Sequence, residues 1–393
     1  MHREKKGKYR FTWRAGNQFR LLVNGNEFYP AMLEAISGAR RYIFLEMYLV
    51  DSGKTADRFI AALGEAAARG VEVWVLLDDL GAFWLRRPDR QRLAATGIRL
   101  AYFNPLRWRG FVRLLIRDHR KLLVVDGEVA FTGGAGISDD FDPQLSPERW
   151  WHETMLEIRG ACVADWQALF CDTWRRVVDD PPALHLETPP LLAPGSPGRV
   201  AIHGRAMSRS EILRSFVMQV RQARYRVWLA TAYFLPPLKL RRALQQAARR
   251  GIDVRLLLPG PLSDHPSIRH LGRRYYEPLL RNGVRIFEYQ PRFQHAKFVL
   301  CDGWASLGSS NLDRWNHRWN LEANQELADG LIAEQLHVLF ENALAVSAEI
   351  SYEEWRRRPW YRRWLEGLLA RIEAPAMRLS DWKRRGAGPR GTL

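Results

Sequence analysis

Two short constellations carry the residue types needed to handle a phosphodiester. His119, Lys121 and Asp126 lie in HRKLLVVDGEVAFTGG, and His295, Lys297 and Asp302 lie in HAKFVLCDGWASLGSSN. An imidazole can attack phosphorus or move a proton, and a neighbouring ammonium can hold an anion. Read as the starts of strands, positions i and i+2 share a face, so each His projects with its Lys. The Leu, Val, Phe and Cys residues that follow predict buried strands with the basic pair at a mouth. Burying such a pair is costly unless an anion neutralises it, and a tetrahedral phosphate can accept from both lysines. A lone H-x-K-x4-D is a weak signal. Two of them at equivalent places, each followed by Asp-Gly and then GG or GSSN, make a strong one.

The elements that must position these groups repeat as well. The stretch from Ala39 to Gly136 recurs between Ala223 and Asn311 with the same order of pieces. Each copy opens on an apolar strand, YIFLEMYLV or RVWLATAYFL. An Ala-rich helix follows, closing on Arg69-Gly70 or Arg250-Gly251, where Gly suits a helix terminus. Next come VEVWVLLDD or IDVRLLLPG, then GIRLAYFNP or GVRIFEYQP, then the motif. Strands alternating with helices predict an α/β layered architecture with mixed sheets. Between the copies, DDPPALHLETPPLLAPGSPG holds six prolines and no helical periodicity. The expected division is 1–180 for the first half, 181–199 for a Pro-rich linker, 200–345 for the second half and 346–393 for a basic aromatic C-terminal helix and tail.

The 393 residues are 47% hydrophobic and 26% charged, which fits a folded protein with two cores and excludes a disordered chain. Cys162, Cys171 and Cys301 are too few for a disulfide framework and match no zinc spacing. No signal-peptide core and no spanning apolar run is visible. A net charge of +17, with sixteen tryptophans, many beside arginines, calls for an anionic partner, either nucleic acid or an anionic lipid surface.

The doubled motif with its GG and GSSN tails resembles the phospholipase D superfamily. WRAGN from Trp13, NGNEFYPAMLEAI from Asn24, GSSNLD and WNLEAN are further similar to bacterial cardiolipin synthases of the type lacking N-terminal membrane spans, and the resemblance runs from about Thr12 to Ala328. It implies a fold of two similar phospholipase D-like αβα halves related by pseudo-twofold symmetry, with one active site at their interface in a monomer. By the same resemblance His119 is the nucleophile and His295 the acid that protonates the leaving oxygen and later serves as base. An in-line displacement needs groups on opposite sides of phosphorus, which two halves supply better than neighbours do. Lys121 and Lys297 would stabilise the equatorial oxygens and Asn311 would add a donor. Its first-half counterpart is Gly136, a departure from the superfamily's usual Asn that predicts an asymmetric anion hole.

The family also pairs each histidine with a glutamate, here Glu153 in WWHETMLEIRG and Glu322 in WNLEANQE, expected to fix the tautomer and favour the imidazolium. Asp126 and Asp302 complete the motifs; each precedes Gly, so turn formation alone explains them, and a supporting role is assigned. His152-Glu153 lacks the second His of a zinc-protease helix, so no metal and no cofactor is expected.

Two basic aromatic stretches are candidate membrane contacts: Asn104 to Asp118, and Pro359 to Ile372 with Trp360, Trp364 and Leu368 on one helical face. The expected activity is cardiolipin synthesis from two phosphatidylglycerols by a peripheral enzyme on the cytoplasmic side of a bacterial inner membrane, with phospholipids and an anionic surface as partners and no nucleic acid. A phospholipase D-type hydrolase uses the same motifs, as does a superfamily nuclease. A non-enzymatic lipid scaffold fits less well with two intact motifs.

Overall fold

The computed structural model describes residues 9–95, 97–105, 116–178, 189, 191–203, 210–313 and 319–359. The first half supplies strands β1 (Arg14–Val23), β2 (Tyr42–Met47), β3 (Glu72–Asp78), β4 (Arg99–Phe103), β5 (Arg117–Asp118), β6 (Lys121–Val125), β7 (Val129–Gly133) and β8 (Thr154–Gly160). The second supplies β9 (Ser196–His203), β10 (Arg226–Ala230), β11 (Phe234–Leu235), β12 (Asp253–Pro259), β13 (Arg285–Tyr289), β14 (Phe298–Cys301), β15 (Trp304–Gly308), β16 (Leu312–Asp313), β17 (Asn320–Ala328) and β18 (Ser347–Glu349).

The main sheet reads β4-β3-β2-β6-β7-β8-β1 in one half and β13-β12-β10-β14-β15-β17-β9 in the other, the same order mirrored about the β1–β9 junction. In each half the outer three strands are parallel and the inner ones antiparallel. Parallel neighbours need a crossover, and the Ala-rich helices Lys54–Ala68 and Leu238–Arg249 provide it. Each buries one apolar stripe, Phe59, Ile60, Leu63 and Ala66 in the first, Leu240, Ala243, Leu244 and Ala247 in the second. Gly70 (φ 88°) and Gly251 (φ 83°) end them in the left-handed region, which leaves the next residue free to bond back to Ala66 and Ala247.

On one face of the sheet each half keeps its own core. On the other, helices Cys162–Trp174 and Gly330–Ala345 share a single core that crosses the junction and includes Phe44, Trp166, Phe170, Trp228, Leu336 and Phe340. Trp166 is fully buried and its indole N–H donates to Gln325 of the other half at 2.9 Å. The halves are therefore docked by a continuous sheet and a common hydrophobic layer.

Two borders move. Residues 196–199, assigned to the linker, form the start of β9, where Pro197 and Gly198 lie at an irregular ladder to β1 paired only at Arg14–Gly198 and Asn17–Ser196. Such an irregularity is where a strand tolerates Pro. Residues 347–357, assigned to a separate C-terminal piece, belong to the second half: β18 pairs with β13, and Trp355 of helix Tyr352–Arg357 is buried against Tyr276. The predicted contact helix beyond Pro359 and most of the 104–118 stretch lie outside the described residues. Among the described residues no helix is long and apolar enough to cross a membrane.

Candidate active site

Each motif histidine precedes a strand rather than opening one, and its backbone is tied to the opposite half. β5 runs parallel to the start of β17, and the His119 N–H donates to the Leu321 carbonyl at 3.0 Å. In the other direction Gln294 bridges to His152, and the His295 N–H donates to the His152 carbonyl at 2.8 Å. Leu321 and His152 are the residues immediately before Glu322 and Glu153.

The side chains repeat that crossing. His119 Nδ1 lies 3.0 Å from Glu322 Oε1 and 3.1 Å from Oε2. His295 Nδ1 lies 2.5 Å from Glu153 Oε2, which also accepts from Lys297 Nζ at 3.1 Å. The glutamate of each half thus serves the histidine of the other. With Nδ1 engaged, Nε2 of His119 is left for chemistry, whereas Nε2 of His295 also lies 3.3 Å from Lys297 Nζ. Lys121 Nζ donates to the His119 carbonyl at 2.7 Å, and Lys297 Nζ makes the equivalent bond to the His295 carbonyl. Both lysines are 2% exposed and both glutamates 0%, so every charge here is held out of water.

Burial sets the proton balance. It pushes His119 well below its usual 6.5, with Lys121 and Lys297 adding to the shift, and it does the same to His295, where Lys297 is the next cause. It brings Lys121 down to about 7, lowers Lys297, raises Glu322 to about 8 and raises Glu153. The expectation that the glutamates favour imidazolium meets an opposing effect: burial and the two neighbouring lysines push both rings toward the neutral form. A neutral ring whose Nδ1–H points to a carboxylate has its Nε2 lone pair free to attack.

Strand register makes Gly136 and Asn311 equivalent, as the sequence suggested. Asn311 is fully buried, and among the described residues neither atom of its amide has a hydrogen-bond partner. Gly136 has no such group, and a Cβ there would lie 2.6 Å from Leu49. Two positions earlier, Gly134 leaves room for Glu153, whose Oε2 would be 2.1 Å from a Cβ, whereas the equivalent Ser309 donates its hydroxyl to Glu322 at 2.5 Å.

Asp126 and Asp302, grouped by sequence with the His and Lys of their motifs, do not join them in the site, in keeping with the supporting role assigned from their turns. They sit at the far ends of β6 and β14, about 16 Å along the strand from the lysines. Asp126 (φ 53°) accepts from the backbone of Arg40, Arg41 and Tyr42, and Asp302 (φ 51°) from Arg224, Tyr225 and Arg226. Each fixes the start of β2 or β10. His152 is packed on Tyr289 and bonded to Asn24, and burial brings it to about 4. Among the described residues no cluster of His, Cys, Asp or Glu is arranged to hold a metal.

Several contacts escaped the sequence reading. The Tyr48 ring lies 4.6 Å from His119 and 5.0 Å from Lys121 Nζ. Phe141, Trp151 and Phe293 surround His295 at 5.5, 5.1 and 5.3 Å. Only Ser309 had a signal, its place in GSSN. A cavity of about 410 Å³ bounded by Leu280, Arg285, Glu349 and Tyr352 is remote from both motifs.

The chain matches the family described as "Cardiolipin synthase, PLD-like domain" twice, over residues 32–165 and 216–344. It is 34% identical to cardiolipin synthase A of Pseudomonas aeruginosa over 346 residues, 87% of this chain and 70% of that protein. It is 30% identical to the cardiolipin synthase of Geobacillus thermodenitrificans over 370 residues, 92% of this chain and 72% of that protein. Among solved structures it resembles the phosphatidylserine synthase of Haemophilus influenzae, with a TM-score of 0.69 at 16% identity over 92% of this chain and 94% of that one. The polyphosphate kinase of Porphyromonas gingivalis gives 0.58 at 16% over 90% and 53%. At that identity the two structures speak for the fold alone.

Proposed function

The chain belongs to the cardiolipin synthase family with phospholipase D-like domains, and from that membership we propose that it is a phosphatidyltransferase joining two phosphatidylglycerols into cardiolipin with release of glycerol. The observation that carries the reading is the crossed pairing of His119 with Glu322 and His295 with Glu153. That arrangement supports a single site in which two imidazoles flank one phosphorus.

In the first step His119 Nε2 forms a bond to phosphorus as the bond to the headgroup glycerol oxygen breaks, and His295 gives that oxygen its proton. In the second, a hydroxyl of another phosphatidylglycerol attacks the phosphohistidine, its proton passes to His295 and the P–N bond breaks. Lys121, Lys297 and Asn311 hold the equatorial oxygens. The diester's negative charge opposes the effect of the two lysines, which lets His295 carry the proton it must donate. The anionic surface of a bacterial inner membrane, approached from the cytoplasm, suits a chain of charge +17.

Purified protein incubated with labelled phosphatidylglycerol, phosphatidylethanolamine and DNA tests the reading. Cardiolipin and free glycerol are the expected products. Phosphatidic acid alone would make the enzyme a hydrolase, and DNA fragments with intact lipids would make it a nuclease.

A further inference from the structure

The two halves differ in the loops that leave β3 and β12. The loop leaving β3 presents Phe83 and Trp84, with Phe83 39% exposed. The loop leaving β12 presents Ser263, Asp264 and His265 instead, and the turn after β10 adds Tyr233. Tyr233 Oη donates to Asp264 Oδ2 at 2.5 Å, Ser263 Oγ lies 3.5 Å from Oδ1, and His265 Nε2 lies 3.7 Å from Oδ2. Asp264 and His265 keep side-chain exposures of 16% each, so the cluster is sheltered and still reachable.

Its direction is given by what it touches. The Tyr233 ring is 6.5 Å from Phe293, and Phe293 is 5.3 Å from His295. The charge of Asp264 also raises the affinity of His295 and Lys297 for protons, against the larger effect of burial. The cluster therefore lies on the His295 side of the site, one ring removed from the imidazole across Phe293, and no step of the mechanism uses it.

The donor and acceptor types choose the ligand. A carboxylate accepts, a phenol both donates and accepts, and a neutral imidazole does the same. Hydroxyl groups also donate and accept, so a polyol can satisfy all three. An ammonium headgroup only donates, and it would share the His295 side of the site with the buried Lys297 ammonium. Accepting the phosphatidyltransferase reading, we propose that Asp264, Tyr233 and His265 form a subsite for the hydroxyls of a glycerol headgroup on the His295 side of phosphorus.

The test is a competition between acceptors. With labelled cardiolipin as donor, every transfer releases one phosphatidylglycerol, and glycerol and 1-propanol compete for the phosphatidyl group to form a second phosphatidylglycerol or phosphatidylpropanol, so the excess of phosphatidylglycerol over phosphatidylpropanol reads the preference. Asp264→Asn and Tyr233→Phe should each lower the glycerol preference about tenfold, the scale of one lost hydrogen bond in a site built for it. Cleavage of bis(p-nitrophenyl) phosphate, which has no hydroxyl to bind, should be largely unchanged and reports that the variants are folded. An unchanged preference overturns the subsite, and so does an equal loss with both substrates, which would make the cluster a mere prop for its loop. A preference that shifts for ethanolamine and not for glycerol overturns it in favour of a cationic headgroup. If the wild type transfers nothing, the synthase reading falls by itself. Glycerol inhibition of bis(p-nitrophenyl) phosphate cleavage then reads the subsite, with an inhibition constant expected to rise about tenfold in Asp264→Asn.

Discussion

The two histidines occupy equivalent places and are backed in opposite ways. Behind His119 lies a buried ionic network: Arg120 donates to Glu46 at 3.0 Å and to Thr173 at 2.8 Å, and Asp78 accepts from the Asp118 N–H at 2.9 Å beside Arg117. Behind His295 the corresponding turn is neutral, with Gln294 bonded to both the carbonyl and the N–H of Ala296. In front, the order reverses. Glu322 is held by a hydroxyl, that of Ser309, and Glu153 by an ammonium, that of Lys297. Symmetry of fold thus coexists with asymmetry of charge, which suits the two different roles proposed for the histidines.

The sharpest way to break that comparison is to remove each ring. His119→Ala should abolish the covalent phosphatidyl-enzyme and cut turnover on the order of 10⁴-fold or more. His295→Ala should slow natural lipid on the order of 10²–10⁴-fold yet spare much of the activity on a p-nitrophenyl ester, whose leaving group needs no proton. Adduct trapping with labelled lipid decides, and a stable adduct on His295 in the wild type would reverse the roles.

Next in size is the ionic backing. Arg120→Met leaves buried Glu46 without its counter-charge, and burial already raises Glu46 well above its usual value, with Asp118 adding to it. A loss of about 3–5 kcal/mol in urea unfolding is expected. A loss below about 1 kcal/mol would show that the network is not what holds the first half's turn.

The two glutamates should part company in a smaller way. Glu153→Gln strands buried Lys297 and should lower Tm more than Glu322→Gln, which keeps a partner for Ser309 and loses mainly activity. Equal shifts in Tm would erase the distinction between the ammonium-held and hydroxyl-held carboxylates. The smallest effect is in pH. Lys121, lowered to about 7 by burial, is charged below that value and loses its charge as pH rises through it. Its support for the anionic transition state is lost in the same direction, so kcat/KM should decline above about pH 7. A profile flat to pH 9 removes Lys121 from the charge balance.

Much of this was legible in the residues. The repeat, the glycine terminators at Gly70 and Gly251 and the Gly136–Asn311 mismatch follow from local pattern, which survives folding unchanged. The crossed carboxylates did not, because His119 and Glu322 are 203 positions apart and no periodicity links them. Nor did the charge state of the rings, which depends on burial by both halves at once. The border at Ser196 was misplaced because Pro197 and Gly198 read as breakers, and only the irregular ladder to β1 explains their place in a strand.

The crossed pairs also fix when the chain becomes an enzyme. A ribosome that has finished the first half has made His119 without the carboxylate that orients it, and Glu153 without the imidazole it serves. Neither ring acquires its partner until β17 and the His295 turn have been synthesised and docked. Synthesis order therefore acts as a safety catch: an unfinished chain carries parts of the site with none of them armed.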